Sequence, residues 1–267
     1  MVQEEFDIHI VFRVKDNLFS VKGSDVLSMM PLPEKLLNIP HAPEYIRGSF
    51  HNLGEIVSVV DLRRFFNWTT VEQEYNIFAQ MIEQRKWDHM NWVETLKACC
   101  RTGEPFGLAK DCHNCALGKW RDNYKTEAHS INRLLRDLDI PHRELHELAD
   151  TVLQGTEESE RVLARMEREL VPEVLKVLDT MKEDFRDREF REMVVLLQGK
   201  AHLALTVDEV LGVESLNRYG LGGAALVRKE KTYVCTVRQR PSDRELVMEL
   251  DIPLLTTNIE LHNQTQL

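Results

Sequence analysis

Three short stretches decide how this chain is read: Cys115-Ala-Leu-Gly-Lys-Trp120, His142-Arg-Glu-Leu-His146, and the isolated His89 in Trp87-Asp-His-Met-Asn-Trp92. Three imidazoles and one thiolate make a full tetrahedral zinc set. His142 and His146 stand four residues apart, so on a helix they leave the same face. Such a pair fixes two ligands with little loop entropy to overcome and needs only two partners from neighbouring helices. His89 and Cys115 can supply them. The gaps of 26, 27 and 4 residues let each ligand, apart from the paired histidines, come from a different helix. The expected cofactor is therefore zinc, held by His89, Cys115, His142 and His146. Other choices stay open: Cys112 or His113 could replace one of the four, and His129 also lies near them. Cys112-x-x-Cys115 could instead be half of a zinc ribbon or a redox pair, but no second Cys-x-x-Cys and no thioredoxin-like pattern accompanies it. His9, His41, His51, His202 and His262 read as ordinary surface or core histidines.

Around these residues the apolar spacing is helical. Phe78, Met81, Ile82, Trp92, Val93 and Leu96 recur at threes and fours, and Gly103, Pro105 and Gly107 end that segment. A second helix carries Ile131, Leu134, Leu135 and Leu138. A third is expected to start at Pro141, where a missing N–H costs nothing, and to carry Leu145, Leu148 and Val152 as far as Gly155 and Thr156. A fourth runs from Val162 to Met181, with Pro172 kinking or restarting it. Four helices with short connections predict an antiparallel bundle.

Outside this region the period changes to that of strands. Ile8, Ile10, Phe12 and Val14 alternate, Leu18 to Val21 and Ile56 to Val60 form β-branched blocks, and Pro31, Pro33, Pro40 and Pro43 punctuate a loop. After residue 190, Met193–Leu197, His202–Val207 and Leu246–Leu250 again read as strands. Charge shifts at the same boundaries: seven of the ten excess negative charges lie within residues 72–189. The division expected is thus 1–70 and 190–267 as two halves of one β domain, with 71–189 as an inserted zinc-binding bundle. The fold class is α+β.

Five cysteines, four of them within seventeen positions, suit reduced thiols and a metal better than a secreted disulfide framework. Cys99, Cys100 and Cys235 are expected to be buried and inert. No apolar run has the length of a membrane span and no signal-peptide pattern opens the sequence. A net charge of −10 argues against a nucleic-acid or anionic-membrane partner. Arg228, Lys229 and Lys231 form a short basic run, read as an exposed hairpin. These features point to a cytoplasmic location. No phosphate-binding loop, nucleophile elbow or kinase signature appears. Gly220-Leu-Gly222-Gly223 lacks a following helix that would make an anion site, and Asp208 and Glu209 point to opposite faces of a strand. Four protein ligands leave no open position for water on the metal, so an enzyme is not expected.

The Cys-x-Leu-Gly-x-Trp pattern at 115–120, with the earlier His and the closing His-x-x-x-His, resembles the chemoreceptor zinc-binding domain over about residues 72–155. The flanks carry a second resemblance. Pro43-Glu-Tyr-Ile-Arg47-Gly48, Gly54-Glu-Ile-Val-Ser-Val-Val-Asp61-Leu62-Arg63 and Val207-Asp208-Glu209-Val210-Leu-Gly-Val213-Glu214 look like segments of CheW-like chemotaxis coupling proteins. That likeness implies two small five-stranded β-barrel subdomains sharing a core, and a surface around Arg47, Leu53, Gly54, Asp61 and Arg63 that meets a chemoreceptor signalling tip or a CheA-type histidine kinase. Leu53 departs from it: the family usually has an arginine before the glycine aligned with Gly54, and leucine offers neither its charge nor its fork of donors. Together the resemblances imply a non-enzymatic signalling adaptor whose insert responds to zinc or to hypochlorous acid. They also imply a reactive thiol at Cys115 and a homodimer formed through the helical insert. The alternative is a scaffold in which zinc only pins the insert.

Overall fold

The computed structural model describes residues 8–126, 129–199, 202–219 and 233–265. The chain divides into two compact units, one formed by residues 1–71 with 191–267 and the other by residues 72–190. The expected hairpin at Arg228, Lys229 and Lys231 and the glycine cluster at 220–223 lie outside the described residues.

The first unit opens with β1 (Ile8–Val14), β2 (Asn17–Lys22), β3 (Val26–Pro31), β4 (Ile46–Asn52) and β5 (Glu55–Asp61), followed by the single-turn helix α1 (Leu62–Phe65). It resumes with β6 (Met193–Leu197), β7 (Leu203–Val207), β8 (Glu209–Ser215), β9 (Asn217–Arg218), β10 (Val234–Gln239), β11 (Leu246–Leu250) and a closing helix at 252–265. The sequence reading located β1, β2, β5, β6, β7 and β11 but missed the closing helix. Among the described residues the strands form a six-stranded sheet ordered β8-β1-β2-β11-β10-β9 and a five-stranded sheet ordered β3-β6-β7-β5-β4, where five and five in closed barrels were expected. The sixth strand is the two-residue β9.

Neither sheet belongs to one half of the chain. β5 pairs in parallel with β7, β2 in parallel with β11, β1 with β8 and β3 with β6. The core is shared in the same way, with Phe12, Phe19, Val60 and Leu62 from before the insert packing with Val195, Leu205 and Leu250 from after it. Neither stretch can bury its apolar face alone, which is why a long insertion between them leaves one domain.

Partly buried ion pairs fasten both junctions with the insert. Asp61 ends β5 and caps α1, its carboxylate accepting from the Arg64 N–H at 3.0 Å. Arg63 reaches Asp208 through two hydrogen bonds, Nε to Oδ1 at 2.9 Å and Nη2 to Oδ2 at 2.6 Å, and also donates to the Thr69 carbonyl at 3.0 Å. At the return, Arg47 donates to the Glu192 carboxylate at 2.5 Å. Arg63→Ala would leave Asp208 without its bidentate partner in a largely buried setting. It is expected to cost about 3 kcal/mol, read as a lower urea midpoint of the β domain at unchanged slope; a midpoint equal to that of the parent would contradict this role.

Candidate metal centre

The second unit consists of α2 (Val71–Thr102), α3 (Ala116–Asn123), α4 (His129–Glu147), α5 (Ala149–Leu153), α6 (Glu157–Arg165), a π turn at Met166–Leu170 and α7 (Val171–Arg188); the closing helix of the first unit is α8 (Ile252–Thr265). Two expectations change here. Pro141 does not begin a helix but sits inside α4, so the expected second and third helices are largely one rod, and the short α3 was not foreseen. A proline inside a helix removes one backbone hydrogen bond; burial of Ile131, Leu134, Leu138 and Leu145 on one face of α4 outweighs that loss. Near Pro172 the last rod does restart, through the π turn and with proline in the first turn of α7.

The apolar core of this unit is in two clusters. One contains Ile82, Leu117, Leu138, Leu178 and Phe185; the other contains Trp92, Leu96, Leu145, Val152 and Met166. His89 falls between Ile82 and Trp92 on α2, and His142 between Leu138 and Leu145 on α4. The polar ligands thus interrupt the hydrophobic stripe of each rod at the same step along the bundle. His89, His142 and His146 are all buried, the last two on the same face of α4.

One candidate ligand atom from each of His89, Cys115, His142 and His146 lies within 4.8 Å of the other three. Cys115 Sγ is 3.3 Å from His142 Nε2, close to the roughly 3.5 Å that a tetrahedral zinc with Zn–S of about 2.3 Å and Zn–N of about 2.0 Å imposes. His89 Nδ1 is 2.7 Å from the Arg85 carbonyl and His146 Nδ1 is 3.2 Å from that of Lys110. A carbonyl can only accept, so each Nδ1 carries the proton, and each Nε2 presents a lone pair. Those two Nε2 atoms are buried and without a hydrogen-bond partner. Orphaned, converging lone pairs of this kind fit a cation. Burial first, then the neighbouring His89 and His146, pushes the His142 pKa down to about 2. Burial first, then His89, brings His146 down to about 4, and burial also lowers His89. All three rings are therefore neutral at pH 7, the form that binds metal.

The Cys-x-Leu-Gly-x-Trp hexapeptide has a separate physical reason at each fixed position. Cys115 is the N-cap of α3, and its sulfur accepts from the Gly118 N–H at 3.2 Å. Leu117 is fully buried in the apolar cluster, and Trp120 packs at tilted ring angles among Phe78, Tyr124 and Phe185. Gly118 has no Cβ because one would stand 1.9 Å from the Cys112 carbonyl oxygen. The loop from Gly103 to Asn114 is drawn over the site by Trp92, whose indole donates to the Ala109 carbonyl at 2.9 Å and whose ring packs 4.7 Å from that of His146. The carbonyl partners of the histidines could not be read from the sequence, since no residue type marks a backbone acceptor.

His129 is outside the cluster. Cys112 and His113 belong to a neighbouring group with Asp111. Cys99 is buried and Cys100 half-buried, but Cys235 is exposed rather than buried. The alternation of β10 turns its side chain outward. Desolvation of the sulfur first, then the Glu249 and Asp251 carboxylates, still pushes its thiol up to about 11, so it remains protonated and weakly nucleophilic at neutral pH.

The five residues expected on a partner surface separate. Asp61 and Arg63 are buried, and Arg47 is turned to Glu192, because each secures the domain's own chain. Leu53 and Gly54 form the two-residue turn between β4 and β5, with φ of +49° and +89°. A type I′ hairpin needs positive φ at both positions, and a leucine there is strained by about 1–2 kcal/mol. Leu53 is also 95% exposed. It borders a concave patch of about 280 Å³ that Leu27, Val57, Leu196 and Leu203 help to line.

Comparison with known proteins adds two family matches: residues 9–87 match the CheW-like domain and residues 89–153 the chemoreceptor zinc-binding domain. The CheW-like match runs into α2, where the structure assigns residues 72–87 to the helical unit. Among solved structures the chain is similar to the scaffolding protein TtCheW from Thermoanaerobacter tengcongensis, at 11% identity and a TM-score of 0.38, covering 91% of this chain and 88% of that one. No curated protein matches the sequence. Zinc is the cofactor that the second family takes, and the donor set at His89, Cys115, His142 and His146 fits it.

Two measurements follow from this geometry. Gly118→Ala forces the Cys112 carbonyl and Cys115 apart, so metal analysis is expected to show zinc lost to a chelator at least tenfold more readily than from the parent; equal retention would contradict the role given to Gly118. Burial raises the Cys115 thiol pKa in the metal-free site while the imidazoles are neutral, so zinc binding near pH 7 should release about one proton per metal. Calorimetry in buffers of different ionisation enthalpy reads this number, and release near zero would remove the thiolate from the ligand set.

Proposed function

We propose that this chain, which carries a CheW-like domain together with a chemoreceptor zinc-binding domain, is a non-enzymatic chemotaxis adaptor that reports zinc or oxidant through its contact with a receptor or kinase. The observation that carries this reading is a buried four-donor cluster in a helical unit spliced into the chain of the β domain between α1 and β6. His89, Cys115, His142 and His146 would hold one zinc, with Cys115 as thiolate. The partners would be a chemoreceptor signalling tip or a CheA-type histidine kinase, met at the Leu53–Gly54 turn. Among the described residues no helix is long and apolar enough to cross a membrane, and we place the adaptor in the cytoplasm. A homodimer through the helical unit belongs to the same reading, supported by the exposed Ile77, Trp87 and Met90 on α2.

Cys115 would be the redox-reactive thiol. Zinc keeps it as thiolate, and α3 sets its N-terminal N–H groups against the charge. Attack on hypochlorous acid gives the sulfenic acid and releases chloride, and the metal loses its one sulfur ligand.

The junctions supply the means of coupling. Arg63 with Asp208, and Arg47 with Glu192, fasten the chain where it leaves and re-enters the β domain, and Arg47 lies on β4, the strand that runs to Leu53. Loosening the helices would therefore act on the strand that presents the partner surface. Titrating a chemoreceptor signalling fragment into zinc-loaded, chelator-treated and hypochlorite-treated protein tests the proposal. Affinities should differ by roughly 5- to 150-fold between loaded and metal-free states. Equal affinity in all three states would favour the other reading, a scaffold in which zinc only pins the insert.

A further inference from the structure

Beside the four-donor cluster stands a second group of metal-ligating side chains. Asp111, Cys112 and His113 bring one ligand atom each within 4.8 Å of one another, with Cys112 buried and the other two exposed. They occupy a tight turn, closed by Asn114 N–H to the Asp111 carbonyl at 3.0 Å and by His113 N–H to Asp111 Oδ1 at 2.9 Å. Asp111 Oδ2 also accepts from the Asn114 side chain at 3.0 Å. Each carboxylate oxygen retains a further lone pair. His113 Nδ1 lies 2.7 Å from Asp122 Oδ2 and 3.4 Å from Arg121 Nη2; the shorter contact is with the carboxylate, which can only accept, and a proton on Nδ1 leaves Nε2 for a cation. Carboxylate, histidine and metal in that order is the arrangement that orients and strengthens a ligating imidazole. Burial pushes the Cys112 thiol up, with the Arg121 guanidinium acting against that rise, so the free side chain is a thiol.

The position of this turn matters as much as its composition. It lies between Lys110, whose carbonyl holds His146, and Cys115, and the Cys115 sulfur is 3.2 Å from the Cys112 carbonyl. The inner cluster is closed by buried imidazoles, so a hydrated ion must shed its water before reaching it. Three protein ligands with an open fourth position bind more weakly than four and exchange faster.

We propose that Asp111, Cys112 and His113 form a second, weaker zinc site on the lip of the buried one, and that zinc passes through it on the way in and out. Zinc would be held there by Asp111, Cys112 and His113 and would be handed to the inner donors by exchange of ligands. The transfer role rests on zinc binding at the inner cluster, while the second site stands on its own geometry.

The test uses the full chain loaded with zinc. Titration with further zinc against a competing chromogenic chelator is expected to show a second, weaker equivalent, and stopped-flow mixing with excess chelator measures release of the tight one. His113→Ala keeps the backbone hydrogen bonds that close the turn, and Asp111→Asn keeps the one from the residue-113 N–H to its remaining Oδ1 while losing the bond from the Asn114 side chain. Each should lose the weak equivalent and slow release at least tenfold, with the tight stoichiometry unchanged. Cys115→Ala should do the reverse, losing the tight equivalent and keeping the weak one. No second equivalent in the parent, or a release rate unchanged in both turn variants, overturns the proposal. A tight equivalent that survives Cys115→Ala refutes the inner ligand set instead, so the two failures are distinguishable.

Discussion

Three buried imidazoles and a cysteine face one another between two hydrophobic clusters, and the helical unit depends on what neutralises that demand. Each buried nitrogen left without a partner costs about 1–3 kcal/mol, against a typical domain stability of only about 5–15 kcal/mol. The energy of structural zinc binding, about 10–16 kcal/mol in small metal-dependent domains, exceeds that cost. A zinc held by these four residues would therefore decide how firmly α2, α3 and α4 are held together.

The β domain is built so that it does not depend on the insert for its strand pairing. Its strand pairs run across the insertion, and its two junctions are fastened by partly buried Arg–carboxylate pairs. Those pairs use residues that a surface reading assigns to a partner. Arg63 and Asp61 are buried and bonded within the domain's own chain. Leu53 has no such internal duty: it is strained in the left-handed region and almost fully exposed.

Much of the metal centre was legible because its signals are local. A pair of histidines four apart, and a cysteine followed at fixed offsets by leucine, glycine and tryptophan, report helix geometry and close approach directly. What escaped was set by tertiary context. Pro141 looked like a helix start because local preference says so, yet a continuous buried face carried α4 through it. Cys235 looked buried because its strand is apolar, but which face a β-strand buries depends on its neighbours. Pairings such as β5 with β7 join residues on either side of the insert, and no short-range pattern encodes them. Cys112 and His113 were visible in the sequence only as rival ligands, and in the structure they group with Asp111 instead of with the four buried donors.

The account stands or falls on which atoms hold the metal. X-ray absorption at the zinc edge of the loaded full chain measures that shell directly. One sulfur at about 2.3 Å and three nitrogens at about 2.0 Å are predicted, in agreement with Cys115 and three histidines. A shell with two sulfurs would draw Cys112 into the inner site and contradict both the ligand set and the separate role given to the outer turn.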